Sequence, residues 1–251
     1  MSDNPRVQKT IVYFFSTIFI LWIVLFEFIL PSNNFLPKPS IVWDSFGDLF
    51  KDYRLVINFL STIAVIYFSI AVSYFLVSLL KRFLLNEKHQ FKILLSSLKQ
   101  VSKILPSILF AFLLIYWLPD TVISEFIFAI LLSFFSFAIK VQNESSLIKK
   151  EYIDAAKGLG ANEAIILIEV KWKAIQPGLI KHILDFHIYF WTLILFFEYA
   201  RNGLGIGKIF RQVLEFKDLS ALIALFIITG ITICLGQLAI KHFKTKHFFW
   251  D

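Results

Sequence analysis

Four side chains with acid, base or metal-binding chemistry fall in or beside one apolar run: His182, Asp185, His187 and Glu198. Imidazoles and carboxylates are the usual general acids, bases and hard metal ligands, and ionisable groups inside apolar segments mark function. On a helix, His182 and Asp185 share a face. At about 100° per residue, His187 lies about 200° from Asp185, and Glu198 about 160° from His182. No single helix can therefore gather all four; a site completed by other helices stays open. Asp185 and His182 read as polar contacts at one end of the run, and Glu198 as a packing or pathway-mouth residue. A second candidate is Gly203, Gly205, Gly207 and Lys208, which suggests a phosphate loop. Such a loop needs four residues between its first Gly and the Gly-Lys pair, then Ser or Thr, and here Ile209 follows Lys208. The stretch reads instead as a flexible outer loop able to gate a pathway. Cys234 is the single cysteine, which excludes a disulfide framework or a cysteine metal site within the chain.

The elements that position these residues follow from composition. Of 251 residues, 58% are hydrophobic and 17% charged, with mean hydropathy +0.73, far from the balance of a soluble domain. Thirty phenylalanines with only 9 glycines and 7 prolines suit apolar helices better than short alternating barrel strands. The expected class is an all-α integral membrane protein. A net charge of +7 here reflects where lysines sit relative to a bilayer and calls for no nucleic acid.

A spanning helix needs about 20 apolar residues. Runs at 10–30, 55–80, 121–139, 183–199 and 219–240 come close. A sixth, 91–118, has its apolar part after Lys103 and must borrow residues from 91–102, with Lys99 and Lys103 snorkelling or facing the bundle and Pro106 kinking or starting it. The first run is longer than a signal-peptide core and no small-residue cleavage pattern follows, so it counts as a span. With six spans both termini share a side, and that side holds 18 of the 25 lysines and arginines. By the positive-inside bias the termini, and residues 151–180, are cytoplasmic.

Residues 151–180 are too charged to form a further span. Glu163, Glu169, Lys171, Lys173 and Lys181 would each cost roughly 2.5–3.5 kcal/mol at mid-bilayer. Locally the stretch reads as helix, turn, helix: Tyr152 to Lys157 helical, Gly158 or Gly160 in the left-handed position, Asn162 capping a second helix and Pro177 punctuating its far end. Ala155 and Ala156 would let a partner approach the backbone closely. Composition alone leaves an ordinary helical loop equally open.

Asp154-Ala155-Ala156, three residues, then Gly160 resembles the "EAA, three residues, G" cytoplasmic loop of the permease subunits of ATP-binding-cassette importers, and lies, as there, between the fourth and fifth spans. Asp154 stands for Glu, Val170 for Ile, and Trp172-Lys173 for Leu-Pro, while Gly160 and the later Pro177 are kept. "FLPKPSIVWDSF" (35–46), "ILPSILFAFLLIYWLPD" (104–120) and "EYARNGLGIGKIF" (198–210) resemble segments of the nitrate, sulfonate and taurine type of importer.

The resemblance implies one permease domain of six transmembrane helices, of the type I importer kind, in a bacterial inner membrane. It makes Asp154, Ala155, Ala156, Gly160 and Pro177 the ATPase-coupling residues, and Glu198, Gly203 and Gly205 candidate pathway or gate residues. It implies cytoplasmic ATPase subunits, a second permease copy or related permease, and a periplasmic or lipid-anchored solute-binding protein as partners. It implies no cofactor or metal on this chain, with ATP and Mg on the ATPase. Two other readings stand beside it: a polytopic membrane enzyme using His182, Asp185 and Glu198, and a non-importing scaffold or exporter of the same fold.

Two features complete the reading. Residues 40–52 read as an amphipathic helix on the outer interface, capped by Ser40, with Val42, Phe46, Leu49 and Phe50 on one face and Asp44, Asp48 and Asp52 on the other. Glu27 and Gln237 are suited either to a pathway or to interhelical hydrogen bonds.

Overall fold

The computed structural model describes residues 5–30, 36–86, 93–97, 100 and 107–247. They are almost entirely helical, with no strand among them. This is what long apolar runs dictate, since only an internal ladder satisfies every peptide group without water. The chain divides into two compact units, residues 1–56 with 209–230, and residues 57–208 with 231–251.

The first unit opens with α1 (Pro5–Ile23), which continues as a π-helical stretch, Val24–Ile29. Then comes α2 (Pro39–Lys51). Its cap differs from expectation: Lys38 holds the N-cap position without a side-chain bond, and Pro39 supplies the fixed φ of the first turn. Ser40 instead lies inside the helix, and its N–H donates to Glu27 Oε2 at 3.1 Å. Glu27 thus supplies the negative charge that a helix N-terminus favours, so the interhelical reading of this residue holds. Val42 and Leu49 are buried, whereas Phe50 and Trp43 are exposed. Tyr53 donates to Asp218 Oδ2 at 3.3 Å and meets the Phe216 ring, tying the end of α2 to the turn after α9 (Ile206–Glu215).

In the second unit, α3 (Leu55–Leu79), α4 (Lys81–Leu85), α5 (Ser107–Trp117) and α6 (Val122–Ser146) lead to the short α7 (Lys150–Gly158). A π-helical stretch, Ile166–Trp172, then runs into α8 (Lys173–Ala200). The last helix, α10 (Leu219–His247), has residues in both units. Helices α6 and α8 form the main packing seam, where Phe128 and Phe197 stack at 4.2 Å between centroids. Against α3, α6 packs through small polar residues: Ser73 Oγ lies 2.6 Å from Ser133 Oγ, and Ser133 also reaches the Ser69 carbonyl. Small side chains let the two backbones approach, and the Ser73 and Ser133 hydroxyls find partners inside an apolar bundle. Gln237 donates to the Leu184 carbonyl at 3.3 Å, again an interhelical role.

Among the described residues, four helices are long and apolar enough to cross a membrane: Leu55–Leu79, Val122–Leu147, Glu163–Ala200 and Leu219–Lys246. Ser16–Ile29 and Ser107–Trp117 are shorter apolar helices. Within the expected span at 91–118, Lys99, Lys103 and Pro106 lie outside the described residues, as does Phe35 of the 35–46 segment. One expectation is corrected. Pro177 does not end a helix but sits inside α8, so the second half of the 151–180 loop is continuous with the following span in one 38-residue helix. A proline ring crowds the carbonyl four residues back, here Lys173, and the ladder is re-spaced into π turns up to Trp172 just ahead of it.

Candidate functional site

The first candidate region is the elbow formed by α7 and the turn after it. Helix α7 has no buried residue, with Asp154 and Ala155 exposed, Ala156 half-buried and Leu159 90% exposed at its end. Its termination is chemically specific. Gly160 has φ +83°, its N–H donates to the Lys157 carbonyl, and the Ala161 N–H reaches back to the Ala156 carbonyl at 3.0 Å. This paired pattern closes the helix on a left-handed residue, a backbone state that costs a side-chain-bearing residue about 1–2 kcal/mol. Asn162 then starts the next helix, its Oδ1 accepting from the Ile165 N–H at 2.9 Å. Both expectations for this turn hold, with Gly160 rather than Gly158 supplying the reversal.

Trp172, which stands where the family pattern has Leu, fixes the far side of the elbow. It is buried, its ring centroid lies 6.5 Å from that of Tyr74 on α3, and Lys81 Nζ sits over it at 5.5 Å. A large buried ring under a cation anchors the π-helical stretch to α3 and α4. The turn therefore presents α7 on a braced arm that runs without a break into the span, with Pro177 buried inside it.

The second candidate region surrounds Glu198, which is 0% exposed. Its carboxylate accepts from Thr62 Oγ1 at 2.8 Å and from the Gly207 N–H at 2.9 Å. Thr62 Oγ1 in turn accepts from the Ile206 N–H at 2.8 Å, and Asn58 Oδ1 accepts from the Gly205 N–H at 2.9 Å. The first N–H groups of α9 thus point at a carboxylate and a hydroxyl, as orphan donors at a helix N-terminus require. Gly205 has φ +130°, and a Cβ there would strike the Glu198 carboxylate. The loop expected to be flexible is therefore pinned, because a buried carboxylate must collect donors to offset its lost hydration.

The histidines part company. His182 Nε2 lies 2.8 Å from Ser136 Oγ and its ring stacks on Phe186, while Asp185 is exposed. His187 is fully buried, and its Nε2 accepts from Trp191 Nε1 at 3.1 Å beside the Tyr67 hydroxyl. Among the described residues no three His, Cys, Asp or Glu side chains are grouped so as to hold a metal ion. The contacts of the two histidines with Ser136, Phe186, Trp191 and Tyr67 serve packing and helix registration.

Among the described residues, sequence reasoning missed the burial of Arg201 and Glu125. Arg201, 2% exposed, donates from Nη2 to the Pro119 and Leu118 carbonyls and has Nε 3.0 Å from Asp120 Oδ1. Glu125, 1% exposed, lies in the first turn of α6. Both sat in the sequence as charges at span ends, where side chains ordinarily face water. Nothing local signalled their burial.

Several membrane-length helices, no strand among the described residues, and an exposed short helix on a span-continuous arm define a multi-pass α-helical membrane protein. A family profile described as binding-protein-dependent transport system inner membrane component matches residues 79–244, and the chain belongs to that family. The match takes in α6, the elbow and the Glu198 region. No curated protein is significantly similar to the chain. The protein is thus the membrane permease component of a transport system that depends on a solute-binding protein, consistent with the family resemblance in its motifs.

Proposed function

We propose that the chain couples ATP hydrolysis on a separate cytoplasmic subunit to alternating access of a solute pathway. The observation that carries this is the elbow. Helix α7 keeps its side chains off the core, and its arm passes through Trp172 and Pro177 into α8 as one helix. A displacement of α7 by a partner is therefore delivered to a span rather than absorbed in a slack loop. In this reading the termini and the elbow are cytoplasmic, supported by the lysine and arginine bias. Asp154, Ala155, Ala156 and Leu159 meet the ATPase, and Gly160 keeps the turn tight. A second permease, identical or related, completes the pathway, and the binding protein delivers solute to the outer face. Nucleotide drives the switch only through contacts that differ between its bound and free states.

Solutes of the nitrate, sulfonate or taurine kind are what the motif resemblance supports. Glu198, Gly203 and Gly205 serve the outer end of the pathway, as a pinned hinge about which α8 and the start of α9 move together. The test is affinity purification of the native complex. An ATP-hydrolysing subunit should accompany the intact chain and be lost on Leu159→Asp, with the apparent melting temperature of the permease unchanged. Repeated purification of the chain without any such subunit would overturn the reading.

A further inference from the structure

Two complementary deficits occur close to the C-terminal end of α8. Arg201 Nη1 is buried and has no hydrogen-bond partner among the described residues. The same holds for both carboxylate oxygens of Glu125. A buried guanidinium nitrogen without an acceptor and a buried carboxylate without a donor are each costly, and each is what the other lacks. A Cβ on Gly203, two residues beyond Arg201, would strike Glu125 Oε1, so the Glu125 carboxylate lies against the loop that Arg201 opens.

The charges around this point are Asp120, Glu125, Glu198 and Arg201. Glu198 is already provided with Thr62 and Gly207 donors. Asp120 is 55% exposed, so water can replace Arg201 as its partner. Glu125 has no such substitute. The Arg201 N–H donates to the Glu198 carbonyl at 3.3 Å, so any change of partner falls to the side chain.

We propose that Glu125 is the second partner of Arg201, and that the guanidinium passes between the Leu118–Pro119–Asp120 turn and Glu125 as the transporter changes state. Held as here, Arg201 ties α8 to the turn between α5 and α6. Paired with Glu125, it ties α8 to the first turn of α6 and releases that turn. Gly203 is then required because any side chain would occupy the space the carboxylate needs. Glu125 is a positioning residue for this exchange, which rests on the transporter reading above. It is a two-state element, the kind that carries coupling between distant parts of a protein.

The experiment uses the permease purified with its native ATPase, with structures determined nucleotide-free and vanadate-trapped. Arg201 should lie within about 4 Å of Glu125 in one state and of Asp120 in the other. In ATPase assays of the same complex, Asp120→Asn and Glu125→Gln should shift the rate in opposite directions, each about fivefold, and Arg201→Gln should abolish the difference. Arg201 bound to the 118–120 turn in both states would overturn the inference while leaving the transporter reading intact. So would equal, same-direction losses in both variants, the signature of a merely structural role. Absence of an ATPase from the complex would overturn both.

Discussion

Thr62 on α3 and Glu198 on α8 share a hydrogen bond of 2.8 Å, and the same hydroxyl accepts the Ile206 N–H at 2.8 Å. One threonine therefore joins a carboxylate to the first turn of the following helix. Thr62→Val keeps the shape but removes both functions, leaving a buried N–H and a carboxylate short of a donor. The expected cost is about 1–3 kcal/mol, read as a lower apparent melting temperature in detergent. Thr62→Ser should restore most of it, since only the hydroxyl is required.

Gly205 and Gly160 both have positive φ, but their surroundings differ. A Cβ at Gly160 meets nothing within 4 Å, so Gly160→Ala should cost only the left-handed backbone strain, about 1–2 kcal/mol. At Gly205 the Cβ also collides with the buried Glu198 carboxylate. Gly205→Ala should therefore lower the melting temperature clearly more than Gly160→Ala. Equal effects would argue against the Glu198 hub.

Trp172 is the buried brace of the elbow. Trp172→Ala should cost about 3–5 kcal/mol through lost packing and cavity formation. Trp172→Leu, which restores the residue of the family pattern, should cost less and retain the ATPase on purification. Limited proteolysis of the 159–173 segment should speed up in the alanine variant first.

Asn162 offers a milder probe of the same elbow. Asn162→Ala removes the acceptor for Ile165 N–H and should cost about 1 kcal/mol, whereas Asn162→Asp or Ser should be close to neutral. Uptake by the reconstituted transporter should fall in step with the elbow's loss of order, with solute binding to the binding protein unaffected.

The elbow was legible because its chemistry is local. A left-handed glycine, a capping asparagine and a run of charges too costly for a bilayer are read from neighbours in the chain, and the structure places Gly160 and Asn162 in those roles. Pro177 misled for the same reason. Its local rule ends a helix, whereas apolar burial on both sides and a re-spaced ladder carried this helix through. Ser40 misled likewise, because Pro39 and a distant Glu27 had already satisfied the helix start.

Sequence alone fixed the material and the class: apolar runs of membrane length, a lopsided lysine distribution, and the spaced alanines and glycine of the elbow. These follow from hydropathy and from backbone rules acting within a few residues. Tertiary structure decided which charges went inside. Glu198 meets Thr62 across 136 positions of chain, and Arg201 meets Pro119 across 82, so no local pattern announces either pairing. A buried charge is defined by its partners, and those partners come together only when the helices pack.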